Sequence, residues 1–166
     1  FQRRFDPGYI EARRLVASGD IGRLYAARLA THDPQPAHDA YIRASGGLFR
    51  DMMIHDFDVL RWTTGLEVIE VYARGNALTE NKMFPNIGDV DTAAALLTLE
   101  GGAVAVITGL RHDPLGYDVR LELFGSRDSV VAGTGGKEPL RALDGDPEDE
   151  SAKRHQFFMD RFESAY

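Results

Sequence analysis

A chain of 166 residues with 43% apolar and 27% charged side chains is long enough to bury a core and has the composition of a globular protein. Its net charge of −7 and pI of about 5.2 disfavour nucleic acid and anionic membranes, whose recognition needs basic patches. With no run of 18 apolar residues, no visible signal peptide and no cysteine, neither a membrane span nor a disulfide framework is expected, and a cytoplasmic location fits.

The chain opens on Phe-Gln-Arg-Arg without an initiator Met and stops at Tyr166 within an amphipathic pattern of Phe158, Phe162 and Tyr166. Residues 1–166 are therefore expected to be one domain of a longer protein, cut at both ends. The first element is a helix over "FDPGYIEARRLVASGDIG". Asp6 is a good N-cap, Pro7 suits the first helical position, and Gly19 suits the left-handed residue that closes the helix. A strand follows at about Leu24 to Thr31, then the Pro-rich loop "THDPQPAHDAY".

The next helix, "SGGLFRDMMIHDFDVLRW", is entered through Ser45-Gly46-Gly47 and closed at Gly65. Leu48, Phe49, Met52, Met53, Ile54, Phe57, Val59, Leu60 and Trp62 make it apolar on most of its circumference, the mark of a buried helix. Yet Asp51, His55 and Asp58 fall on one face of it. An imidazole is a natural proton acceptor near neutral pH, and a carboxylate beside it stabilises the imidazolium. Spacing alone also allows an ion pair that merely satisfies itself; the apolar surroundings favour a purpose. Gly46 and Gly47 allow close approach of a ligand or another backbone, and free N–H groups at a helix start attract oxyanions, which makes them candidate cofactor contacts. A flexible loop end explains them equally.

The rest reads as sheet. Val68 to Leu78 alternates; Thr92–Leu99 and Val104–Leu110 are joined by the hairpin signal Glu100-Gly101-Gly102. From Tyr117 to Phe124 the alternation is clean, so one face of the sheet is wet or interfacial. A short strand, Ser129 to Ala132, follows. Residues 133–150 read as an acidic surface loop, and a last helix starts near Ser151. The class is α+β, with helices packed on one face of an open, mostly antiparallel sheet. No set of three convergent metal ligands is found, because Asp56 faces away from His55 on a helix and no HExxH is present. Gly133-Thr134-Gly135-Gly136 imitates a dinucleotide fingerprint, but no helix pattern follows it. Tyr117 reads as a pocket hydroxyl or an ordinary edge-strand aromatic, and Arg3 and Arg4 as charges at a helix entrance.

"RRFDPGY", "GDIG", "THDP", "YIRASGGLFRDMMIHDFDVLRWTTG", "GDVDTAAALLTLEGGAVAVI", "GYDVRLELFGS" and "RFESAY" occur in that order. Together they resemble the C-terminal domain of the Gfo/Idh/MocA oxidoreductases, and the inositol branch more than the sugar branches. The resemblance implies a two-domain NAD(P)-dependent enzyme whose Rossmann domain, with its catalytic lysine, is absent from this chain. It implies a cyclic polyol or sugar as substrate and homo-oligomers, usually tetramers, formed through the sheet. It makes His55 the proton acceptor from the reacting hydroxyl and Asp51 its orienting partner, with Arg4, His32 and Tyr117 lining the polyol pocket.

Overall fold

The computed structural model describes residues 1–133, 159 and 162–166. Helix α1 spans Pro7–Ala17. The Asp6 carboxylate accepts the N–H groups of Gly8 and Tyr9, which have no partner within the helix. Gly19, at φ +79°, takes the left-handed turn that ends it. Tyr9 and Ala12 face inward and are buried.

Six strands follow: β1 Leu24–His32, β2 Val68–Asn76, β3 Thr92–Leu99, β4 Val104–Leu110, β5 Asp118–Gly125 and β6 Ser129–Ala132. They lie in the order β2-β3-β4-β1-β5-β6. Only β1 and β4 run parallel; every other neighbouring pair is antiparallel. The β3–β4 hairpin turns on Gly101 and Gly102, both at positive φ. Period-2 alternation divides the side chains. Ala27, Leu29, Ala95, Leu97, Ala105, Ile107, Val119, Leu121 and Leu123 point to the helices and are buried. Tyr72, Leu96, Val104 and Val106 lie on the other face, between 40% and 65% exposed. The architecture is the expected open, mostly antiparallel sheet with helices on one side.

The segment from Ser45 to Gly65 is less regular than its periodicity suggests. A short helix, α2 Asp39–Ser45, ends at Gly46 in the left-handed region. A π-helical turn then covers Phe49–Met53, and α3 runs from Ile54 to Thr64, closed by Gly65 at φ +69°. The π turn presses on β4 at Gly109, where a Cβ would come within 2.7 Å of Met53. Glycine is what lets the chain approach that closely. Two short helices fall outside the elements expected from the sequence: α2, whose only buried residue is Ile42, and α4, Met83–Ile87. The expected acidic loop over 133–150 lies, but for Gly133, outside the described residues. So does most of the expected last helix; its end is a 3₁₀ turn, Glu163–Ala165.

Candidate active site

The parallel pair β1 and β4 ends side by side, with His32 opposite Leu110. Their inner faces continue past the strands, bringing Thr31 and Asp33 beside Gly109 and Arg111. Tyr117, just before β5, closes the third side. The π turn and α3 lie across this edge and lower Asp51, His55 and Asp56 onto it.

Asp51 is held from two directions. Its Oδ2 accepts from Arg111 Nη1 at 2.7 Å and its Oδ1 from the Tyr41 hydroxyl at 2.6 Å. The Asp51 side chain is 13% exposed and that of Arg111 only 1%. The Asp51–His55 bond expected from i,i+4 spacing is not formed: His55 Nδ1 is buried with no hydrogen-bond partner among the described residues. The reason is local. The π turn, with i→i+5 bonding, breaks the 3.6-residue register that makes four-apart residues neighbours. His55 instead meets Phe1 edge-on, with ring centroids 5.5 Å apart. Burial, reinforced by the positive charge of Arg3 and opposed by Asp51, pushes its imidazole down to about 4. At neutral pH it is uncharged.

A second network supports α3 from below. Arg3 donates to Asp56 Oδ1 at 2.5 Å and to Thr31 Oγ1 at 2.6 Å, and the Thr31 hydroxyl donates to Asp56 Oδ2 at 2.7 Å. Arg3 and Asp56 are both buried. Arg4, expected in the pocket, turns the other way. It grips Asp58 through Nε and Nη2, with its side chain 43% exposed. The 3₁₀ turn Gln2–Phe5 sends consecutive side chains to different sides, so the inward charge is Arg3.

His32 requires the same kind of correction. It alternates with Thr31 on β1 and so lies on the outer face, where Nδ1 sits 3.0 Å from Asp113 and Nε2 2.9 Å from Thr108. The inward neighbour is Asp33, which the sequence reading passed over; counting from buried Leu29 in twos would have found it. Desolvation, with help from Asp51, pushes the Asp33 carboxyl up to about 6 against the pull of Arg111 and Arg3. Tyr117 does face inward and is 7% exposed; burial raises its hydroxyl pKa above the usual tyrosine range.

Gly46 and Gly47 do not present an open anion site. The Gly47 N–H reaches Ser45 Oγ at 3.3 Å and the Leu48 N–H reaches Asp89 Oδ1 at 3.1 Å. A Cβ on Gly47 would come within 2.9 Å of that same Asp89 oxygen. A carboxylate of the chain itself thus takes the Leu48 N–H and crowds Gly47. Among the described residues, His55 also borders a cavity of about 610 Å³ lined by Phe1, Gln2, Phe5, His55, Ala165 and Tyr166. Its aromatic walls fit a flat ring better than a phosphate. No group of three or more His, Cys, Asp or Glu side chains suited to a metal ion occurs among the described residues.

A neutral imidazole thus lies beside an aromatic cavity and near a cluster of carboxylates and guanidinium groups. Residues 9–131 match the GFO/IDH/MocA C-terminal domain, and the chain belongs to that family. Over its whole length it is 42% identical to the uncharacterized oxidoreductase YrbE of Bacillus subtilis (strain 168), covering 48% of that protein. It is likewise 40% identical to the myo-inositol dehydrogenase Hyg17 of Streptomyces leeuwenhoekii, covering 49% of it. The scyllo-inositol dehydrogenase from Lactobacillus casei with bound NAD(H) and scyllo-inositol superposes with a TM-score of 0.78 at 32% identity. There 99% of this chain and 48% of that one are covered. The chain thus spans about half the length of the curated relatives it matches.

Proposed function

We propose that this chain is the substrate-binding, catalytic half of an NAD(P)-dependent, inositol 2-dehydrogenase-like oxidoreductase that converts a ring CH–OH of a cyclic polyol to a ketone. The observation that carries this reading is His55: uncharged, desolvated, and set between the aromatic cavity and the polar cluster of Asp51, Asp33 and Arg111. A polyol lying on that cluster offers hydroxyls to the carboxylates, and its reacting hydroxyl loses a proton to His55. NAD(P)⁺, gripped by a preceding nucleotide-binding domain, supplies the hydride acceptor. Arg111 and Arg3 offset the carboxylate charge around the bound polyol. Tyr117 supplies an inward hydroxyl.

Pairing of copies through the outer sheet face belongs to the same proposal, supported by Tyr72, Leu96, Val104 and Val106 exposed together across β2, β3 and β4.

The test uses the full-length protein. NAD(P)H formation is followed with myo-inositol, scyllo-inositol and glucose, with His55→Ala alongside. The expected result is reduction with an inositol and a fall in turnover of about 100-fold or more in the variant, the usual scale for a general base. Turnover near wild type in His55→Ala removes the role given to the imidazole. Activity on glucose alone moves the substrate to a sugar.

A further inference from the structure

Asp51 is the carboxylate on which the proposed polyol binding depends, yet the group that fixes it lies 60 residues away. We propose that Arg111 is the positioning residue for Asp51, fixing its carboxylate and presenting it to substrate hydroxyls. This rests on the polyol reading above.

The argument is geometric. The Arg111 guanidinium is fully buried, donates to Asp51 Oδ2 at 2.7 Å, reaches Ser45 Oγ only at 3.4 Å, and leaves Nε without a partner among the described residues. A buried cation so sparsely bonded is costly unless its one close carboxylate needs it. Its base is rigid: the Arg111 N–H donates to the Asp91 carbonyl at 2.8 Å. Asp91 is itself locked by the N–H groups of Leu78 and Thr79 and by the hydroxyls of Thr79 and Thr92. The line from Asp91 through Arg111 to Asp51 therefore ends at a fixed oxygen. An ionised carboxylate has about four acceptor positions. Arg111 and Tyr41 take one on each oxygen, and the remainder are free for substrate. His55 and Asp33 are the other titratable groups near this carboxylate.

In the full-length enzyme, Arg111→Gln is expected to lower kcat/KM about 100-fold, the scale of a misplaced group in a reacting complex, with most of the loss in kcat. Arg111→Lys, which keeps the charge but not the planar fork, recovers about tenfold of it. In an Asp51→Asn background, Arg111→Gln costs less than about threefold more, because both changes remove one unit. A loss below about threefold, or single losses that multiply, overturns the proposal.

A second readout needs no substrate. The Tyr41 hydroxyl pKa is raised, first by its bond to Asp51, and Arg111 opposes the shift. Followed by ¹³Cζ NMR and assigned with Tyr41→Phe, its titration moves down in Asp51→Asn and down in Arg111→Gln as the unclamped carboxylate leaves Tyr41; a rise, which loss of the Arg111 charge alone gives, overturns the clamp. A Tyr41 titration that ignores Arg111→Gln overturns the clamp whatever the activity. Wild-type protein inert on every polyol, with Tyr41 responding as stated, defeats the polyol reading and leaves the clamp standing. If Arg111→Gln does not fold, Arg111→Lys decides: unchanged kcat overturns the proposal and a loss of about tenfold supports it.

Discussion

The inner and outer faces of the sheet both carry charge, and they handle it differently. Inside, Arg3, Thr31 and Asp56 form a closed triangle from which solvent is excluded. Outside, Arg28 pairs with Glu122 while its own side chain stays 62% exposed. An exposed pair gains little and costs little. A buried pair is weak as a source of net stability but expensive to break, since either partner alone is a desolvated charge. The inner network therefore acts chiefly by placing α3, and with it His55, which neighbours Asp56 in the chain.

The sharpest way to break this comparison uses two pairs drawn from the same two segments, Arg3–Asp56 and Arg4–Asp58. Asp56→Ala strands a buried guanidinium and is expected to cost about 3–5 kcal/mol of unfolding free energy in urea. Asp58→Ala frees an arginine that already reaches water and should cost less than about 1 kcal/mol. Equal losses would mean that burial does not separate the pairs.

Much of the fold was legible because it rests on period and punctuation. Asp6-Pro7, Gly65 and the Gly101-Gly102 turn each do what their chemistry suggests. The site was legible in part. His55 and Tyr117 face inward, but the Asp51–His55 pairing was lost to a π turn, which apolar spacing does not distinguish from an α-helical one. Arg4 displaced Arg3 in the reading because nothing local says which of two adjacent arginines is buried; the partner that decides it, Asp56, is 53 residues on. Gly46-Gly47 looked like an anion site because Asp89, which fills it, is likewise distant in sequence. For His32, strand alternation from Leu29 turns Thr31 and Asp33 inward instead.

Asp33 offers a middle-sized test through pH. Its folded pKa of about 6 stands above its ordinary 3.8, so the native state binds the proton more tightly than the unfolded one. The ionised carboxylate therefore destabilises the fold. The penalty is absent below about pH 4, grows from there to about pH 6, and is complete above that. Asp33→Asn removes it. At pH 7.5 the variant should be more stable by about 1–2 kcal/mol, after discounting for the solvent that still reaches the site, and the advantage should vanish by about pH 4. Thermal unfolding across that range checks both the sign and the window. A variant less stable above about pH 4 and equal to wild type below it would show that the attraction of Arg111 and Arg3 outweighs desolvation.

The smallest effect is expected one residue away. His32→Gln changes an imidazole whose two nitrogens already engage Asp113 and Thr108, on the face opposite His55. Glutamine can donate to a carboxylate and accept from a hydroxyl, so both contacts have substitutes. In the full-length enzyme kcat/KM for a polyol should stay within about twofold of wild type, a difference of less than about 0.5 kcal/mol. His32 and Asp33 are consecutive, so the same assay on Asp33→Asn is the natural control. Loss in the Asp33 variant with retention in the His32 variant requires the polyol to lie on the inner face. Loss in the His32 variant alone would carry it to the outer one.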